Sequence, residues 1–223
     1  MNTACSRHLL AALLAAGAAA VATPSMAQGD GNWIVRGRVI HVTPNDRSGE
    51  VTTLAGSGVG VGDDTTAELD ITYMLRPNWG LELILGTTQH DLTGKGTIAN
   101  LGKIGKTALL PPTLTLQYHF APKADVRPYA GIGVNYSKFY NEKSTNSLDT
   151  GLGGPTNINL DDSWGLAAQA GVDVGLKNDW FVNFDLKYIQ IETKATLVTG
   201  STTRTVDVDI NPWVFGIGIG KRF

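Results

Sequence analysis

From Trp33 onward the chain alternates apolar and polar residues with period two, the mark of strands that present unlike faces to two surroundings. The pattern is sharpest over Thr65–Leu75, where Ala67, Leu69, Ile71 and Tyr73 alternate with Glu68, Asp70, Thr72 and Met74. Seven further runs are predicted: Trp33–Thr43, Trp79–Gly86, Thr113–Phe120, Arg127–Tyr140, Trp164–Lys177, Trp180–Tyr188 and Val206–Phe223. The last is the most informative. One parity holds Trp213, Phe215, Ile217, Ile219 and Phe223, and the other holds Gly216, Gly218 and Gly220. Such a strand suits lipid on its apolar side and a narrow lumen on its bare side.

The connectors alternate in length. Residues 76–78, 121–126 and 178–179 are short, whereas 44–64, 89–112, 141–163 and 194–205 are long and rich in Gly, Thr, Asn and Asp. Short periplasmic turns facing long extracellular loops are the pattern of an outer-membrane barrel. An even strand count returns both termini to the short-turn side. Trp33, Trp79, Trp180 and Tyr129 cluster there, as an interfacial aromatic girdle would. The expected fold is therefore all-β: an eight-stranded antiparallel up-and-down transmembrane β-barrel. A secreted β-sandwich or lipocalin-like barrel, with the apolar parity buried, is the competing fold.

Composition and charge narrow the class. Residues 1–27 read as a cleaved signal peptide, with Arg7 as the positive n-region, an apolar run over Leu9–Val21 and a small-x-small site at Ser25-Met26-Ala27. A membrane anchor is the alternative, but the run is short of the roughly 20 residues needed to span. The barrel is expected to occupy residues 28–223. The only cysteine, Cys5, leaves with the signal, which removes disulfides, thiolate metal sites and a cysteine nucleophile from consideration. The formal charge of −2 drops by one when Arg7 goes, and no basic excess points to nucleic acid. The 27 glycines favour strands and turns over helices.

Six segments carry a family resemblance. Leu110-Pro-Pro-Thr-Leu114, Arg127-Pro-Tyr-Ala-Gly-Ile-Gly-Val-Asn-Tyr136, Asp162-Ser-Trp-Gly165, Gly171-Val-Asp173, Asn178-Asp-Trp180 and Asn211-Pro-Trp-Val-Phe215 occur in an order that resembles the OmpW family of outer-membrane proteins. The resemblance implies an eight-stranded barrel associated with passage of small hydrophobic compounds, with AlkL-type alkane importers as relatives. Some members of that family serve as bacteriocin receptors or respond to envelope stress, which is the alternative role the resemblance implies. The aromatic C-terminus resembles the signal read by the barrel-insertion machinery, although Lys221 stands where that signal usually has a second aromatic.

With the apolar parity outside, the lumen can be read directly. Toward the periplasmic end it receives Arg36, Arg38, Glu82, Asp173, Asp185 and Lys187, which should pair, because unpaired buried charge is expensive. Further out it receives Ile40, Val42, Ile189, Ile191 and Val214, a candidate apolar cup for a ligand. Gly131, Gly133, Gly165 and Ala167 are expected to leave volume unfilled beside it. Eight strands enclose side chains or one small ligand, not a water column. A hydrophobic solute would thus meet a charged plug, and its cheaper exit is sideways into the membrane. Pro44 has no N–H to complete a ladder, which marks a lateral opening between the first two strands; ordinary strand termination is the alternative reading of the same residue.

The remaining motifs carry little. Gly56-Ser-Gly-Val-Gly-Val-Gly62 has no helix after it and reads as a flexible loop rather than a phosphate cradle. Asp63-Asp64, Asp161-Asp162 and Asp207/Asp209 read as solvated carboxylates, with divalent-cation binding or bridging to lipopolysaccharide as the alternative. His41, His90 and His119 lack zinc spacing. His90 with Ser144, Ser147 or Ser163 would be the only route to a lipid-modifying enzyme, and no enzyme and no cofactor is expected. The expected partners are outer-membrane lipid, lipopolysaccharide, small hydrophobic solutes and the insertion machinery, with a surface receptor or stress-protective barrel as the rival role.

Overall fold

The computed structural model describes residues Asn32–Phe223; the expected signal segment, with Cys5 and Arg7, lies outside the described residues. In chain order the first strands are β1 (Trp33–Thr43), β2 (Arg47–Ser48), β3 (Ser57–Val61), β4 (Asp64–Arg76), β5 (Trp79–Gly86), β6 (Thr88–Gly96), β7 (Lys103–Leu110) and β8 (Thr113–His119). They are followed by β9 (Val126–Ser144), a short helix α1 (Asn146–Leu152), β10 (Thr156–Leu160), β11 (Ser163–Gly175), β12 (Trp180–Ile189), β13 (Glu192–Thr199), β14 (Thr202–Asp209) and β15 (Trp213–Arg222).

Eight of these close a ring of antiparallel neighbours, β1-β4-β5-β8-β9-β11-β12-β15 and back to β1. They correspond to the eight predicted strands. The start of the first strand meets the end of the last, with the Trp33 N–H donating to the Phe223 carbonyl at 3.3 Å and the Phe223 N–H returning to Trp33 at 2.8 Å. Tight connections join strand pairs at this end. Asn178 and Asp179 both take positive φ, the requirement of a two-residue hairpin turn whose twist matches its strands.

The apolar parity faces outward, as a lipid-bathed barrel requires and a sandwich core does not. Ile132 is 72% exposed, Leu166 62% and Ile219 57%. Two aromatic girdles bound this belt. Trp33 packs on Tyr73, and Trp79 on Tyr118, at the short-turn end; Tyr136 packs on Trp164, and Tyr188 on Trp213, at the other. From Trp213 to Phe223 the rise is roughly 25 Å at a tilt of about 40°, the height of a membrane band. The outer girdle had no counterpart in the sequence reading.

Four corrections follow. Tyr129 is not a girdle residue: it is 2% exposed and points inward, into room left by Gly171, where a Cβ would come within 2.3 Å of its hydroxyl. The expected eighth strand is two strands, because Asn211 takes φ 39° and Pro212 offers no N–H, so β14 and β15 part there. Most of the expected long loops are also folded. β3, β6, β7 and the upper part of β9 form one sheet; β10, β13, β14 and β2 form another. Together they raise the wall past the outer girdle, and the presumed flexible loop 56–62 is the buried strand β3. Finally, the inward glycines leave no free volume, since Gln169 and Gln117 fill the space at Gly131, Thr115 that at Gly133 and the Gln190 backbone that at Gly165.

Candidate functional site

The lumen has two layers. The lower one is a charged plug built where β1, β4, β5, β11 and β12 turn their polar parity inward. Arg36 grips Asp173 with two parallel bonds, Nε–Oδ1 at 3.2 Å and Nη2–Oδ2 at 2.9 Å, and reaches Glu82 Oε1 at 3.1 Å and Thr72 Oγ1 at 2.8 Å. Arg38 bridges Glu68 at 3.0 Å and donates to Asn183 at 2.6 Å and to the Tyr129 hydroxyl at 3.1 Å. Lys187 joins Glu68 at 2.6 Å and Asp185 at 2.8 Å. Tyr129 in turn donates to Asp185 at 2.6 Å. Gln117 and Gln169 each donate to Glu82 Oε2 at 2.7 Å.

All six expected plug residues thus lie within one connected network. Sequence reasoning missed Glu68 and Asp70. Both stand on the inward parity of β4 beside Thr72, so the alternation already placed them; Asp70 lies 2.8 Å from Arg38. Buried carboxylates of this kind are tolerable only where cations and donors surround them; Asp70 has the Arg38 cation beside it but neither of its oxygens receives a hydrogen bond.

Above the plug the same parity becomes apolar. Ile40, Val42, Ile189, Ile191 and Val214 are all buried and share one cavity with Ile84, Gly86, Pro111 and Pro212, above Glu68. Its volume is about 30 Å³, room for a water or two and far less than the ~150 Å³ of an apolar hole that takes benzene. A second cavity of about 20 Å³ lies between the two outer sheets, lined by Val59, Val61, Leu92, Phe139, Leu160, Val208 and Ile210. The residues lining the two cavities belong to one apolar core that runs from above the plug to the extracellular sheets.

The wall around the cup has two interruptions. The β1–β4 ladder runs to Val42 and Asp64, and there the strands part: β2 pairs with β14, β3 pairs with β6, and the Asn45 N–H bonds to Ile210. Pro44 stands at that fork. The second interruption lies between the Ile84–Thr113 and Thr88–Leu109 pairs, where Leu85–Thr87 faces Leu110–Pro112 without a ladder. Pro111 and Pro112 have no N–H to donate, and Asn135 Nδ2 turns to their carbonyls at 3.1 and 3.4 Å. Pro111 and Gly86 line the cup directly.

His90 faces inward from β6, its ring nitrogens set against the Gly62 carbonyl at 2.7 Å and the Thr88 hydroxyl at 2.9 Å, not against a serine. Asp162 receives Tyr136 and Lys138, and Asp207 lies 3.6 Å from Lys194. Among the described residues no cluster of three or more metal-ligating side chains forms.

Against this geometry the comparisons with known proteins are decisive. The OmpW family model matches residues 29–223. The chain belongs to the OmpW family. It is 40% identical to outer membrane protein W of Vibrio cholerae, over 100% of this chain and 99% of that one. It is 26% identical to outer membrane protein AlkL of Ectopseudomonas oleovorans, covering 86% and 83% of the two. The crystal structure of OprG from Pseudomonas aeruginosa superposes with a TM-score of 0.80 at 34% identity, over 87% of this chain and 96% of that one. This OmpW-family chain is therefore an outer-membrane β-barrel of a Gram-negative bacterium, as the proteins it resembles are outer-membrane proteins by name.

Proposed function

We propose that this barrel admits small hydrophobic molecules passively across the outer leaflet. The observation that carries the reading is the change of lumen chemistry at one height: an apolar cup directly above a paired, buried charge network. A solute that reached the cup would gain about 25 cal/mol per Å² of apolar surface removed from water and would meet a desolvation barrier below. The way out is sideways. The break at Pro111–Pro112 has the stronger support, because Pro111 walls the cup, while the fork at Pro44 is reached only past Val42. Both stand at the level of the outer girdle, so either leads into lipid.

The test is uptake of labelled naphthalene or a labelled alkane by cells lacking the protein, with and without its restoration. Faster uptake that disappears when Ile40, Val42, Ile189 and Ile191 are changed to Asp supports the cup as conduit; no difference across several hydrophobic solutes sinks it. Disulfides placed separately across the β1/β4 fork and across the Gly86–Pro111 gap then locate the exit by which one stops uptake. The small cavity favours a second reading, a receptor or stress-protective barrel with a closed lumen. In that case the loop sheets carry the activity, and replacing them abolishes binding while solute uptake is unchanged.

A further inference from the structure

The two outer sheets differ in charge. The β3-β6-β7-β9 half carries Lys95, Lys103, Lys106, Lys138 and Lys143 against Asp91 and Glu142, whereas the strands of the other half balance Arg47, Lys194 and Arg204 against Glu192, Asp207 and Asp209. Within the positive half, Lys106 and Lys143 are register partners across β7 and β9, and both are exposed. Like charges placed opposite one another on a sheet repel. Asp91 stands opposite Lys106 on its other side, across β6, but its carboxylate pairs with Lys103, and Asp162 is held by Lys138 at 3.2 Å, so neither forms an ion pair with Lys106 or Lys143. Glu142 precedes Lys143 at a register shift and forms no ion pair among the described residues.

Height supplies the second argument. Tyr136, packed on Trp164, marks the outer girdle on β9. Lys138 lies about 5 Å beyond it and Lys143 about 18 Å beyond, at ~3.3 Å per residue on a strand tilted by about 40°. The face therefore offers an apolar belt, an aromatic girdle, one cation just above it and a cation pair higher still.

We propose that the outer face of β6, β7 and β9 docks lipopolysaccharide through its phosphates. Acyl chains lie along the belt, Lys138 meets the phosphorylated glucosamine backbone, and the Lys106–Lys143 pair clamps phosphate of the core saccharide. A phosphate between the two ammonium groups replaces their repulsion with two charge-assisted contacts. These lysines are on the long-loop side, which faces the glycolipid leaflet, so inner-leaflet phospholipid does not reach them. The proposal rests on the sidedness of the barrel and not on the solute reading.

The test is binding of rough-type lipopolysaccharide to the purified full-length barrel in detergent, followed by native mass spectrometry. Lys106→Glu with Lys143→Glu should weaken binding by at least about ten-fold; Lys194→Glu with Arg204→Glu, an equal charge change on the other sheet, should alter it by less than about two-fold. Enzymatically dephosphorylated lipopolysaccharide should bind the unaltered protein as poorly as intact material binds the first variant. Should that variant fail to fold, Lys106→Gln with Lys143→Gln gives the same comparison at a smaller loss. Unchanged affinity in the β7/β9 variants, an equal loss in the control, or phosphatidylglycerol displacing lipopolysaccharide as well as lipopolysaccharide itself overturns the proposal.

Discussion

Below the outer girdle the wall is apolar outside and charged inside; above it the wall is charged outside and apolar inside. β15 and β12 carry Phe215, Ile217 and Phe184 toward lipid and Asp185 and Lys187 toward the lumen. β3, β6 and β14 bury Val59, Leu92 and Val208 and leave Asp91, Lys95 and Asp207 in water. The alternation is the same in both storeys, and only its sign changes, because the outer solvent changes from hydrocarbon to water. The cup sits at the crossover, where Ile40 faces in and Val39 faces out. That is the one height at which an apolar lumen adjoins an apolar surrounding, and it is where both interruptions of the wall occur.

The largest effect should come from the plug. Replacing Arg36 with Ala strands Glu82 and Asp173 in a dry lumen, which costs about 3–5 kcal/mol; urea unfolding in lipid vesicles should show that loss, while Ile191→Ala in the cup should cost about 2–4 kcal/mol. The two differ in function too. On the conduit reading, Ile191→Ala enlarges the cavity and speeds uptake of a bulky aromatic solute despite the lower stability, whereas Arg36→Ala does not. Equal behaviour of both variants in uptake would remove the distinction between plug and cup.

The division between storeys also explains what the sequence disclosed. Eight strands and the six plug residues were legible because in the membrane the two faces differ as far as chemistry allows, Leu83 against Glu82, Phe184 against Asp185. Tyr129 reads as an interfacial aromatic only by residue type; its position beside Ala130, on the opposite parity, gives its inward direction. The outer sheets resemble loops in sequence because their contrast is weak. β13 alternates Thr193, Ala195, Leu197 and Thr199 with Glu192, Lys194, Thr196 and Val198, and threonine on both faces mutes the period. β3 shows none at all, since all five of its residues are buried. The prolines at the Pro44 fork and the Pro111–Pro112 gap are visible as residues, but their shared height needs the register of neighbouring strands.

A smaller pair of substitutions tests the inversion itself. Ile217 lies midway along β15, facing lipid, and a cation there must leave water for hydrocarbon or drag water in after it. Ile217→Arg should destabilise the barrel by about 2–4 kcal/mol, as cations do near a bilayer midplane. Thr203 occupies the equivalent outward parity on β14, where it is exposed opposite Val198. Because water already bathes that face, Thr203→Arg should shift stability by no more than about 0.5 kcal/mol. Reconstituted side by side and unfolded in urea, the two variants locate the boundary between lipid and water on the wall. A cost at Thr203 close to that at Ile217 would mean that lipid reaches the outer sheets, and the cup would then lie deep within the membrane instead of at its outer edge.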